Sequence, residues 1–214
     1  MSSNGSTDKF IYGSDQKKIN RRTFFTKSVG CTAGLTLLAF PGIIAEVLAA
    51  KGDESKEEIL KELEEKAAKY VLMYGCAQGS FRALNEQLRL NADDKTTRAL
   101  MPFTGGIALR GETCGAVSGS LLAIGYYFES MNRKGEEGAG SSMKYGGMFF
   151  DRFTEEFGST RCWEIQKHLY GKYYDTRNPE EMKLFMEIAK KSGKCTELVK
   201  KAVFIAGDII LKNA

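Results

Sequence analysis

The sequence predicts an all-α fold, a single bundle of about six helices joined by glycine-rich loops and occupying residues 50–214. Apolar residues there recur at three- and four-residue spacing, the period of a helix face. Helix start and stop signals flank those stripes. The 23 glycines and three prolines accompany few alternating β-branched runs. At 43% apolar and 27% charged residues, bulk disorder and a fibrous repeat are both excluded.

Taken in order, Ser55 and Glu58 form a capping-box pattern. Ile59, Leu60, Leu63, Ala67, Tyr70 and Tyr74 then trace the first helix. A second covers residues 77–89, with Ala77, Phe81, Leu84 and Leu88 on one stripe. Gly105, Gly106 and Gly111 punctuate a loop before a third helix at about residues 112–128. Gly115 and Gly119, one turn apart in it, let another backbone approach closely. Residues 133–147, polar and rich in glycine, predict a mobile surface loop. A short helix with Met148, Phe149, Phe153 and Phe157 follows, ending at Gly158, and Ser159 caps the next, which carries Cys162, Ile165 and Leu169. Trp163 and the phenylalanines at 149, 150, 153 and 157 are expected in the core. Asn178-Pro179-Glu180-Glu181 starts another helix, with a cap, a first-turn proline and acids at the positive end. Gly193 ends it, and Cys195 opens the last helix, with Leu198, Val199, Ala202, Ala206 and Ile209 facing inward.

Residues 1–49 read as an export signal, not as fold. The stretch Asn20-Arg21-Arg22-Thr23-Phe24-Phe25 is followed by 18 uncharged residues, 28–45, and by the small-residue run Val47-Leu48-Ala49-Ala50, the order of a charged, an apolar and a cleavage region. The paired arginines resemble a twin-arginine signal, which implies a folded passenger, the twin-arginine translocation machinery as a partner, and an exported, periplasmic or extracytoplasmic location. Cleavage is expected after Ala49. The alternative is an uncleaved signal serving as a membrane anchor. Residues 1–49 contain six Lys or Arg and three Asp or Glu, leaving 25 basic and 24 acidic residues beyond them. The basic surplus therefore belongs mainly to the leader, and the domain carries no nucleic-acid signature.

Chemistry is concentrated in the cysteines. A single histidine, His168, excludes His-rich metal sites, and no CxxCH is present to hold covalent haem. His168 itself reads as an ordinary helix histidine. With Cys31 in the leader, Cys76, Cys114, Cys162 and Cys195 remain, each at or within about a turn of a predicted helix start. There the helix dipole and free amides favour a thiolate. Four such thiolates suit an iron–sulfur cluster. Zinc and a thiol–disulfide oxidoreductase ordinarily use close CxxC pairs, and the gaps here are 37, 47 and 32 residues. A dithiol redox protein using the same cysteines and a non-catalytic domain with two structural disulfides remain open alternatives.

The segments YGCAQGSF (residues 74–81), GGIALRGETCGAVSGSLLAIG (105–125), EEFGSTRCWEI (155–165) and CTELVKKAVFIAGDIIL (195–211) resemble the redox-active family called C_GCAxxG_C_C. That family is named for four cysteines and a central CGAxxG, which is Cys114-Gly115-Ala116-Val117-Ser118-Gly119 here. The resemblance implies a helical domain with a redox role. The domain is also similar to the non-haem part of split-Soret cytochromes, in which such cysteines accompany an iron–sulfur centre. That likeness implies Cys76, Cys114, Cys162 and Cys195 as cluster ligands and metal site. Expected partners are an unidentified electron-transfer protein and, as a homodimer, a second copy of the chain.

Overall fold

Helix periodicity and cap chemistry account for most of the architecture. The computed structural model describes residues 55–131 and 136–214, all within one unit, Ala39–Ala214. Among the described residues there are seven α-helices and no strand. The export-signal reading, with its arginine pair, cleavage point and anchor alternative, lies outside them.

Helix α1, Lys56–Gln87, opens on the expected capping box. The Glu58 amide donates to Ser55 Oγ at 3.2 Å, and the Ser55 amide donates to the Glu58 carboxylate at 2.9 Å. It is sharply broken at Gly75, whose φ of 76° and ψ of 177° are non-helical. The two helices expected on either side of this point are therefore two arms of one kinked element. Helix α2, Asp94–Arg98, is a short addition capped by Asp93, and a 3-10 turn, Met101–Phe103, follows. Helix α3, Gly115–Tyr126, runs on as a π-helical turn, Tyr127–Met131. Helices α4 (Glu136–Phe157), α5 (Cys162–Tyr170), α6 (Pro179–Ser192) and α7 (Lys194–Lys212) complete the order.

The core lies where α1, α3 and α7 meet, with α4 laid across α3 and α7. Phe81, Ile124, Phe149, Phe153, Val199, Ala202, Ala206 and Ile209 are buried there. Asp208 pins α7 to its neighbours, accepting from Lys56 on α1 and Arg152 on α4, both at 2.9 Å, and from Lys212 at 3.0 Å. Asn178 and Gly193 bound α6 as expected, the Asn178 side chain accepting from the amides of Glu180 and Glu181. Among the described residues no helix is long and apolar enough to cross a membrane.

Three local expectations are corrected. Most of the segment expected as a mobile loop, residues 133–147, is helical, because α4 begins at Glu136. Tyr145 stacks on Phe128 with ring centroids 4.3 Å apart, and Gly146 lies against Leu121. Packing therefore overrides the glycines, each of which costs a helix about 1 kcal/mol. Ser159 does not cap α5: the N-cap is Arg161, with no side-chain bond, and Ser159 Oγ instead accepts from the Arg161 amide and donates to the Glu164 carboxylate. Phe150 faces outward at 43% exposure, whereas Phe149 and Phe153 are buried, since residues one apart on a helix cannot share a face.

Candidate functional site

All four cysteines sit at helix starts. Cys76 is the first residue of the second arm of α1, directly after the Gly75 break. Cys114 is the N-cap of α3, Cys162 the first residue of α5 and Cys195 the second residue of α7. The structure brings them together. Each thiol acts electrostatically on the other three, as seen at Cys114 from Cys162, Cys76 and Cys195, at Cys162 from Cys76 and Cys195, and at Cys195 from Cys76. None of the four is in a disulfide.

Close packing of glycines brings the first pair together. A Cβ added to Gly115 would lie 2.4 Å from Cys76 Sγ and 3.0 Å from the Ala77 nitrogen. One added to Gly119 would meet the Ala77 carbonyl oxygen at 2.3 Å. The GxxxG face of α3 thus presses its backbone onto the Cys76 turn of α1, and no other residue fits at either position. Burial pushes the Cys76 thiol up, and the amides of Gly105, Ala77, Cys76 and Gly115, directed at its sulfur, partly offset that. Cys114, 5% exposed, is pushed well up by burial and by the neighbouring Cys162 and Cys76, against the Ala116 amide.

Cys162 is fastened to Cys114 through the intervening loop. The Cys162 amide donates to the Glu112 carbonyl at 2.7 Å, the Trp163 amide to the Gly111 carbonyl at 2.9 Å, and the Cys114 amide to the Thr160 carbonyl at 2.8 Å. Thr113 and Arg161 form an isolated antiparallel bridge. Loop backbone thus occupies the free donors at the start of α5 that a side-chain cap would otherwise take. Reaching this position requires an unusual turn. Gly105, Gly106, Ile107, Ala108 and Leu109 all have positive φ, at 67°, 72°, 57°, 50° and 65°. For the three non-glycine residues this costs roughly 1–2 kcal/mol each. Bonds from the Ala108 amide to the Pro102 carbonyl (2.6 Å) and the Glu112 amide to the Gly106 carbonyl (2.9 Å) hold the turn. Thr176 Oγ1 also donates to the Leu109 carbonyl at 3.2 Å. A Cβ on Gly106 would strike Cys162 Cβ at 2.7 Å, so the glycine loop passes close to Cys162 as well as beside Cys76.

Side chains, not amides, address the other two sulfurs. Gln166 Nε2 donates to Cys162 Sγ at 3.6 Å, and Tyr170 Oη donates to Cys195 Sγ at 3.2 Å. Burial pushes Cys162 up to about 12 despite Gln166, and Cys195 up to about 11 despite Tyr170. Cys162, Gln166 and Tyr170 follow one another at four-residue intervals along α5, a single stripe facing the site. That spacing was visible in the sequence, but it gains meaning only once Cys195 is known to lie beside it. Trp163 is half-buried with Lys167 over its ring, and His168 is exposed and outside the site.

Four thiols gathered from four helix starts constitute a soft donor set. Each would lose its proton only against burial and its neighbours' charge, and a bound cationic centre reverses that balance. The residues therefore fit a thiolate-ligated centre. Among the described residues no three of His, Cys, Asp and Glu are gathered tightly enough to hold one metal ion.

A curated protein of Archaeoglobus fulgidus (strain ATCC 49558 / DSM 4304 / JCM 9628 / NBRC 100126 / VC-16), described as "Uncharacterized protein", is 27% identical over 127 residues, covering 56% of this chain and 81% of its own. No solved structure matches. A family model described as "Putative redox-active protein (C_GCAxxG_C_C)" matches residues 74–209, a span that includes all four clustered cysteines and more than half of the chain. The chain belongs to the C_GCAxxG_C_C family.

Proposed function

We propose that the protein binds an iron–sulfur cluster through Cys76, Cys114, Cys162 and Cys195 and passes electrons to a partner protein outside the cytoplasm. The observation that carries this reading is the gathering of four free thiols, from four helix starts, within electrostatic reach of one another. When bound, the cluster supplies one-electron chemistry. The chain supplies the rest. Amides at Cys76 and Cys114 and the donors Gln166 and Tyr170 direct positive charge at the sulfurs, and the packed walls limit access of water. Gly105 and Gly115 let the backbone approach the Cys76 sulfur closely enough to do so. The twin-arginine-like leader supports the same reading, because a cofactor inserted in the cytoplasm requires export of a folded protein.

The test is iron and acid-labile sulfide content, with a visible spectrum, on the full chain purified without oxygen. The expected result is stoichiometric iron and sulfide with broad absorption on the order of 400 nm, lost on replacing any one of the four cysteines by serine. A colourless, iron-free protein whose cysteines close into two disulfides on oxidation would overturn it and assign the dithiol reading.

A further inference from the structure

Cys195 differs from the other three cysteines in how it is held. No loop or glycine contact clasps it. It lies in the first turn of α7, and the hydroxyl of Tyr170, from the last turn of α5, donates to its sulfur at 3.2 Å. Two neighbours hold the Tyr170 ring. Its ring stands edge-on to Phe185 of α6, with centroids 5.9 Å apart. Lys194, the residue before Cys195, lies over the ring and donates to the Leu169 carbonyl at 2.5 Å. A phenol is ordinarily protonated near neutral pH, so Tyr170 serves as a donor there.

Resting on the cluster reading above, we propose that Tyr170 is a positioning residue that holds Cys195 in the site and raises the reduction potential of the centre through its O–H···S bond. The electrostatics require this sign. Adding one electron to a thiolate-ligated centre places more negative charge on its sulfurs, and a hydrogen bond to sulfur therefore stabilises the reduced form more than the oxidised form. The step is the uptake of one electron, with the hydroxyl a donor to sulfur in both states.

The experiment is a dithionite titration with dye mediators on the full chain, purified without oxygen, comparing the native protein with Tyr170→Phe. The variant keeps the ring and its Phe185 contact and loses only the hydroxyl. The expected result is native iron and sulfide content with a midpoint moved to more negative potential, the equilibrium constant for reduction falling roughly three- to tenfold. Loss of iron from Tyr170→Phe, with the metal-free melting temperature unchanged, supports the holding role of the same bond. Native iron content with an unmoved midpoint overturns the inference while leaving the cluster reading intact. Iron absent from the native protein removes both. A second variant, Phe185→Leu, loosens the ring and spares the hydroxyl; a shift there equal to that of Tyr170→Phe would assign the effect to packing and also overturn the inference.

Discussion

The two halves of the cysteine site are built on different principles. Around Cys76 and Cys114 the walls are backbone, with amide donors at the sulfurs and glycines where α3 meets α1. Around Cys162 and Cys195 the sulfur donors are the side chains of Gln166 and Tyr170. A backbone wall cannot be altered by substitution without moving the helices that form it. A side-chain donor can be removed while its helix stays in place. The first half should therefore govern whether the site exists, and the second its properties.

The sharpest test of that division is Gly119→Ala. The new methyl would lie 2.3 Å from the Ala77 carbonyl oxygen, a backbone atom that moves only if α1 and α3 separate. Overpacking of this kind costs about 3 kcal/mol or more. In a domain of this size that lowers the melting temperature by roughly 10 °C, read by circular dichroism. Gly115→Ala, directed at Cys76 Sγ, should also abolish iron binding. A melting temperature within a degree or two of native in Gly119→Ala would mean that the helix contact yields, and the contrast between the halves would collapse.

The same contrast sets what could be read from the sequence. Helix faces, the Ser55 capping box, the Asn178 cap and the cysteines at helix starts are local features written at fixed spacing, and the fold keeps them. The close approach at Gly115 and Gly119 was legible because only small residues permit it. The left-handed turn through Ile107, Ala108 and Leu109 was not, since residues of these types ordinarily avoid that conformation and adopt it here under loop contacts distant in sequence. The α4 segment after Glu136 was hidden for the opposite reason: its glycines signal a loop, and only Phe128 and Leu121, from another helix, show that the segment is packed. Tyr170 and Gln166 share the Cys162 stripe, yet nothing in sequence pairs Tyr170 with a cysteine 25 residues on.

A second test separates the two ends of α7. Its start carries Cys195 and rests on a tyrosine hydroxyl, whereas its end is held by Asp208 among Lys56, Arg152 and Lys212. Burial alone would raise the Asp208 carboxyl, but the bonds from these three cations outweigh it and hold it at about 2. A carboxyl depressed below its unfolded value of about 3.9 contributes stability that is fully present well above that value. The contribution is lost as pH falls toward about 2. Asp208→Asn should therefore cost about 2 kcal/mol near neutral pH and progressively less on acidification through the range from about 5 to about 2, where native protein and variant converge. Thermal melts across that range check it, and a constant difference down to pH 2 would remove Asp208 from the account. Iron content near neutral pH should be unchanged, because the clamp lies at the far end of the helix from Cys195.

The smallest expected effect falls on Gln166, which bonds to a site sulfur and to the backbone beyond it at once. Its Nε2 donates to Cys162 Sγ at 3.6 Å, while its Oε1 accepts from the buried Tyr174 amide at 3.1 Å. Gln166→Met removes both the donor to sulfur and the acceptor for Tyr174. The longer contact to sulfur is weaker than that of Tyr170, so this variant should not move the midpoint potential as far as Tyr170→Phe. Gln166→Met leaves the Tyr174 amide without its partner, at a cost of about 1–3 kcal/mol. Its melting temperature should fall by a few degrees while iron content stays native. If Gln166→Met instead empties the site of iron, then the side-chain half also governs assembly, and the division between a wall that builds the site and donors that adjust it does not hold.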